Sequence, residues 1–305
     1  MGDYIRRRLV RVAKAMGIRR NRDAAQASWA SRVAPPGHFY SPFPSLDDIR
    51  RNEERLFGPP PRELPGIALN EDEQLKLLED LSTYYDELPF PEGKTAGRRY
   101  YYENTFYSYS DAIFLFAMIR HIRPKHIIEV GSGYSSCVML DTNELFFDNK
   151  IQCTFIDPFP ERLFGLISEA DKDLVEIVPQ RVQEVDEERF SRLGENDILF
   201  IDSSHISKVG SDVNHLFAEV LPALQTAVYV HFHDIRYPFE YWPEWIYEGR
   251  AFTEAYVLRA FLAFNDAFRI VLFLTFLEHF HRDWFARNMP LCLRNTGGSI
   301  WLRRA

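Results

Sequence analysis

"EVGSGYSS", residues 129–136, decides how this chain folds. The residues before it, "KHII", join Glu129 and Val130 in a run that reads as a buried strand, and "SSCVMLDTNELFF" after it reads as a helix. Two glycines between a strand and a helix make a sharp turn. Gly131 permits the reversal, and Gly133 lets a ligand approach the backbone. The start of the following helix offers amide groups without partners and a partial positive charge.

Outward from the turn, strands and helices alternate from residue 125 onward. "IQCTFIDPF", "LVEIVPQ", "DILFIDSSH" and "TAVYVHFHDI" read as strands, and "PERLFGLISEA", "DEERFSRL" and "GSDVNHLFAEVLPAL" as the helices between them. "EAYVLRAFLAFND" then reads as a helix, followed by "FRIVLFLTF" and "GSIWLRR" as strands. This rhythm predicts an α/β fold with a doubly wound, mostly parallel sheet covered on both faces.

The acids at the strand ends carry the chemistry. Asp157 ends the second strand, 24 residues after Gly133, where a carboxylate can accept hydrogen bonds from ribose hydroxyls. A dinucleotide fingerprint would place a third glycine where Ser136 stands. Glu129, ahead of the glycines, suits an ammonium group better than a pyrophosphate. Both features lean away from a nicotinamide cofactor. An NAD-binding protein and a non-catalytic protein on the same fold are the alternatives. Asp202 ends the fourth strand, with His205 three residues on, and "HFHDI" brings His231, His233 and Asp234 to the end of the fifth. Ligands of open α/β sheets bind at that edge, so Asp202, His205, His233 and Asp234 can converge there. Strict alternation would put His231 and His233 on one face and Asp234 on the other, unless the strand has already ended. Hydrogen-bonded polar residues at a strand end would look the same. His215 and His231 read as structural.

Residues 1–99 read as an extension. Residues 1–22 hold eight Lys and Arg against Asp3 alone, and Ile5, Leu9, Val12 and Met16 share one helical face. Such a basic amphipathic helix packs on its own domain, or contacts a membrane surface or a protein partner. "SLDDIRRNEERLF", capped by Ser45, lies within a proline-rich arm, and a further helix starts after Asn70. The tyrosines of "RRYYYENTFYSYS" either fill an interface or form a lid over a ligand, and Ser110 caps the next helix. "YPFEYWPEWIYEGRAFTEAY" reads as an aromatic loop covering an acceptor. The net charge of −8 argues against a nucleic-acid partner. Three cysteines without a CxxC, and no signal peptide or membrane-length apolar run, lead to the expectation of a cytoplasmic protein.

Over residues 100–305 the chain resembles class I S-adenosylmethionine-dependent methyltransferases. The resemblance implies a seven-stranded, Rossmann-like sheet with an antiparallel last strand. It places Glu129, Gly131, Ser132, Gly133, Tyr134 and Ser135 at the cofactor, with Asp157 at the ribose, Gln180 or Arg181 near the adenine, and Asp202 beside them. "PQRVQ" departs from the acidic pattern usual after the third strand. Within that superfamily "IDSSH" and "HFHDI" are similar to a branch that includes macrolide sugar O-methyltransferases, and catechol-type enzymes have a similar layout. That likeness implies a small-molecule or sugar hydroxyl as acceptor, His205 as base, and a divalent metal (Mg²⁺, Mn²⁺ or Fe²⁺) held by Asp202, His233 and Asp234. An imidazole ligand would disfavour Mg²⁺. An oligomeric state is compatible with this reading.

Overall fold

The structure, a computed structural model, describes residues 33–305. The basic helix expected over residues 1–22 lies outside the described residues. The described residues form two compact units, 33–58 with Tyr247–Ala251, and Pro59–Ile246 with Phe252–Ala305. In the described part of the smaller unit, Ser45 caps helix Leu46–Arg51, its hydroxyl accepting from the Asp48 amide at 3.3 Å.

The larger unit carries the sheet. Helix α1, Glu71–Ser82, is followed by α2, Ser110–Ile122, and then β1, His126–Val130. Next come α3, Tyr134–Phe147, β2, Gln152–Ile156, β3, Glu176–Val178, β4, Ile198–Ile201, and β5, Tyr229–Phe232. Helix α4, Glu254–Leu262, β6, Phe268–Phe273, α5, Leu274–Phe280, and β7, Ile300–Arg304, complete the unit. The strand order is β3-β2-β1-β4-β5-β7-β6. β1 to β5 run parallel, and β7 runs antiparallel between β5 and β6. The expected doubly wound sheet with an inserted antiparallel last strand is present.

Burial explains these elements. Every residue of β4 is buried, as both faces of a covered parallel sheet require. Helix α2 is apolar nearly all round and packs against both α1 and α3. Each fully buried phenylalanine here, such as Phe114, Phe116, Phe155 and Phe200, contributes roughly 1.5–3 kcal/mol over an exposed one. No helix of the described residues is long and apolar enough to cross a membrane.

Several local expectations change. The helix after Asn70 is present as α1, but the Asn70 side chain makes no capping bond to it; Asn70 has φ +54° and its Nδ2 donates to the Ile270 carbonyl at 3.1 Å. Ser110 is the first residue of α2 rather than its cap, and its hydroxyl bonds the Glu278 carboxyl. "FRIVLFLTF" is strand only to Phe273, after which α5 begins. An unbroken apolar run has no periodicity to mark that change. "GSDVNHLFAEVLPAL" is helical, but it widens to a π-turn over Leu216–Val220.

Candidate active site

The C-terminal ends of β1, β2, β4 and β5 share one edge of the sheet, and the site is built there. The turn after β1 comes first. Gly131 has φ +87°, and a Cβ there would lie 1.9 Å from the Asp202 carbonyl oxygen. Only glycine fits, for conformation and for space. Asp202 in turn donates its amide to the Val130 carbonyl at 2.9 Å. The turn after β1 and the end of β4 therefore touch.

Glu129 points beneath this turn. It is fully buried, and its two carboxylate oxygens accept from the Ser135 and Ser136 hydroxyls. Burial pushes its carboxyl up to about 8, although both serines pull the other way. Ser136 also accepts from the Gly133 amide at 3.0 Å, so a hydroxyl ties the turn where a dinucleotide site would have glycine. Asp157 Oδ2 accepts from the Ser132 amide at 3.0 Å and from its hydroxyl at 2.8 Å, and Oδ1 from the Phe159 amide at 2.8 Å. The first amides of α3, from Tyr134 onward, have no partners inside the helix. Gln180 and Arg181 are exposed just past β3, near Asp157, whose amide donates to Val178 at 3.1 Å.

Aromatic residues border this turn. Tyr100, Tyr102, Tyr107 and Tyr109 are buried and fill the core beside α2. Tyr101 behaves differently: its hydroxyl lies 3.1 Å from that of Tyr134 at the helix start. Arg162 stacks 4.1 Å over Phe106, with its Cδ where a Gly133 Cβ would approach to 3.2 Å.

A second cluster stands beyond β4 and β5. Donor atoms of Asp202, His205 and Asp234 lie within 4.8 Å of one another. His205 Nε2 is 3.3 Å from Asp202 Oδ1 and 3.5 Å from Asp234 Oδ2. β5 ends at Phe232, which frees Asp234 from strand alternation, and its φ of +58° turns it toward this focus. His233 lies beside the cluster: its Nε2 is 3.5 Å from Asp234 Oδ1, and its Nδ1 is 3.9 Å from Asp111 Oδ1. His231 is fully buried, stacks 3.9 Å from Phe200, and has no hydrogen-bond partner on either ring nitrogen among the described residues. Its pKa is pushed well down by burial and by the charge of His233.

Two acids of the cluster carried no sequence signal. Glu254, the first residue of α4, is fully buried with Oε2 2.8 Å from His205 Nδ1. Asp111, in the first turn of α2, accepts from the Gly298 amide at 3.0 Å. Four carboxyls thus surround two imidazoles, and the charges respond. Burial works against a charged His205, but hydrogen bonds to Asp202 and Glu254 and the nearby carboxylates hold its pKa well up. His233 is likewise raised against its burial by Asp234, Asp202 and Asp111. Burial favours a neutral Asp202, yet His233 and His205 bring it down to about 2. Burial raises Glu254 and Asp111. The pocket stabilises added positive charge, and three of its donor groups converge. A divalent cation fits that donor set.

An aromatic wall flanks the cluster. Phe252 lies 5.1 Å from the His205 ring, and Tyr241 lies 5.7 Å from Phe252. A Cβ on Gly298 would come within 3.2 Å of both Asp234 Cα and the Trp242 ring, so Trp242 stands next to Asp234.

Residues 128–235 match the family described as methyltransferase domain. An uncharacterized protein of Archaeoglobus fulgidus is 39% identical over 172 residues, which is 55% of this chain and 76% of that protein. Among solved structures, a Podospora anserina methyltransferase, PaMTH1, bound to S-adenosylhomocysteine is similar at 15% identity and a TM-score of 0.44, over 86% of this chain and 95% of that one. The O-methyltransferase TomG of Streptomyces achromogenes, in complex with S-adenosylmethionine, is similar at 14% identity and a TM-score of 0.42, over 85% and 96%. Likenesses this distant say nothing of substrate.

Proposed function

Because this chain belongs to the class I S-adenosylmethionine-dependent methyltransferases, we propose that it methylates a hydroxyl of a small molecule or sugar at the focus of Asp202, His205 and Asp234. The observation that carries this reading is the direct contact between the two halves of the site. Gly131 of the cofactor turn packs on the Asp202 backbone, so a methyl donor over the turn adjoins the acid–imidazole focus.

The donor's binding groups are the turn itself with Ser132, Tyr134 and Ser135, the Asp157 carboxylate, and the edge at Gln180 and Arg181. Glu129 sits one layer lower, bracing Ser135 and Ser136. When bound, S-adenosylmethionine supplies a methyl group on a sulfonium and leaves as the neutral thioether. Asp202 and Asp234 would hold a divalent cation, which supplies acidity to a hydroxyl beside it. The carboxylates that hold the His205 proton would be offset by a cation between Asp202 and Asp234; His205 Nε2, once neutral, then takes the hydroxyl proton as the oxygen forms its bond to the methyl carbon. Trp242, Tyr241 and Phe252 exclude water and align the acceptor, since methyl transfer depends mainly on positioning.

A second assignment of His205 is favoured by the convergence of three donors: Nε2 binds the cation itself, and the proton leaves by another route. Metal analysis of the purified protein with and without S-adenosylhomocysteine tests both. Wild type should hold about one divalent ion and Asp234→Ala none. His205→Ala should keep the ion if it is the base and lose it if it is a ligand. A protein that methylates without any metal would sink the cation, and one that does not bind S-adenosylhomocysteine would sink the whole reading.

A further inference from the structure

His205 faces two ways, and its two ring nitrogens have different neighbours. Nε2 looks toward Asp202 and Asp234, whereas Nδ1 lies 2.8 Å from Glu254 Oε2. We propose that Glu254 is the positioning residue of this site: it accepts the Nδ1 proton of His205 and so leaves the Nε2 lone pair aimed between Asp202 and Asp234. The inference rests on the methyltransferase reading only for the use made of Nε2. It holds whether that nitrogen takes a proton or binds a cation.

Three observations carry it. The first is the cost of the arrangement. Glu254 is fully buried, and among the described residues no arginine or lysine pairs with it. Its side-chain partners are His205 and, at 3.3 Å, the Ser203 hydroxyl. Burying a carboxylate whose one charged partner is an imidazole is expensive, so packing alone does not explain it. The second is the grip on the backbone. The His205 carbonyl accepts from the amides of Thr253 at 2.8 Å and Glu254 at 3.1 Å, at the start of α4. The same helix end thus holds the main chain of His205 and, through its first side chain, the imidazole. The Ser207 amide adds a bond to the Thr253 hydroxyl at 2.7 Å. The third is conformation. His205 has φ +60°, a left-handed value that few non-glycine residues adopt, although histidine does so more readily than most. Such a residue persists where its surroundings over-determine it. The clamp from α4 supplies that determination and fixes which nitrogen faces the focus.

The two tautomers of a neutral imidazole make this testable without knowing the acceptor. Free imidazole side chains favour the proton on Nε2, so a proton on Nδ1 reports a partner there. The experiment is ¹⁵N-histidine NMR of the full chain at alkaline pH, with His205 assigned by the signals missing in His205→Ala. Wild type should carry the proton on Nδ1. Glu254→Gln should keep it there, because the amide oxygen still accepts. Glu254→Ala should return it to Nε2. A Glu254 that donated its own proton would leave the wild-type proton on Nε2, and that result overturns the proposal. An Nδ1 proton surviving in folded Glu254→Ala overturns it too. If the alanine variant does not fold, the wild-type and glutamine spectra still decide. Binding of S-adenosylhomocysteine to wild type, measured by calorimetry, separates the two inferences. Without it the methyltransferase reading fails, while the tautomer result stands.

Discussion

The glycine turn after β1 and the acid–imidazole cluster meet at Asp202, yet they are built in opposite ways. In the turn, the unusual backbone conformation falls on glycine, and each carboxylate has hydroxyl or amide donors: Glu129 takes two serines, Asp157 takes Ser132 and Phe159. In the cluster, left-handed conformations fall on His205 and Asp234, and carboxyls outnumber imidazoles. The turn is locally satisfied. The cluster holds more carboxyls than imidazoles, and distant elements bring them together. That difference is what the proposed division of labour requires: a satisfied turn on which a ligand rests and a cluster with charge to use.

That contrast can be broken at several points. The largest effect is expected from Gly131→Ala. Its Cβ would meet backbone at 1.9 Å, and φ +87° is strained for alanine, so a loss of about 3 kcal/mol or more should appear in chemical denaturation. A variant as stable as wild type would show that the two halves are not in rigid contact. Asp234→Ala acts on the cluster instead. The affinity for Mn²⁺ alone, followed by titration, should fall about a hundredfold, or ~2.7 kcal/mol, with little loss of stability. Unchanged Mn²⁺ binding would remove Asp234 from the ligand set.

Gly133→Ala sharpens the comparison within the turn. Its Cβ meets only the flexible Arg162 side chain, and its φ is an ordinary extended value. The fold should be nearly unaffected, while calorimetry should show S-adenosylhomocysteine binding weakened about tenfold, or ~1.4 kcal/mol. Equal binding would mean that the ligand does not approach there. The last test concerns Glu129, and it reads a pH dependence rather than a single loss. Burial raises its folded-state carboxyl to about 8, above the ordinary value of 4.5, so the folded protein holds that proton more tightly than the unfolded chain. This contribution to stability is present below pH 4.5 and declines as pH rises toward 8, by on the order of 1 kcal/mol per pH unit. Glu129→Gln should flatten that part of the stability–pH curve. A curve identical to wild type would mean that Glu129 is ionised in the folded state at neutral pH.

What was legible in the sequence follows the same division. Local patterns gave the strand–helix alternation, the glycine turn and the acids Asp157, Asp202 and Asp234, because each lies within two residues of the end of the strand before it. Local patterns also misled where periodicity is absent. The apolar "FLTF" continues β6 without a break and hides the start of α5. His233, a possible third ligand by the family resemblance, has Nε2 3.5 Å from Asp234 Oδ1, and its other nitrogen faces Asp111, which no local pattern announced.

The sequence by itself determined the sheet, its order of elements and the edge where chemistry can occur, because hydrophobic periodicity and a two-glycine turn act over a few residues. Tertiary structure alone decided which polar groups meet. Glu254 is 49 residues from His205, and Asp111 lies 122 residues before His233. No spacing rule links such positions. Only closure of α2 and α4 against the sheet brings these carboxyls to the imidazoles, where burial makes their contact strong enough to set charge and orientation.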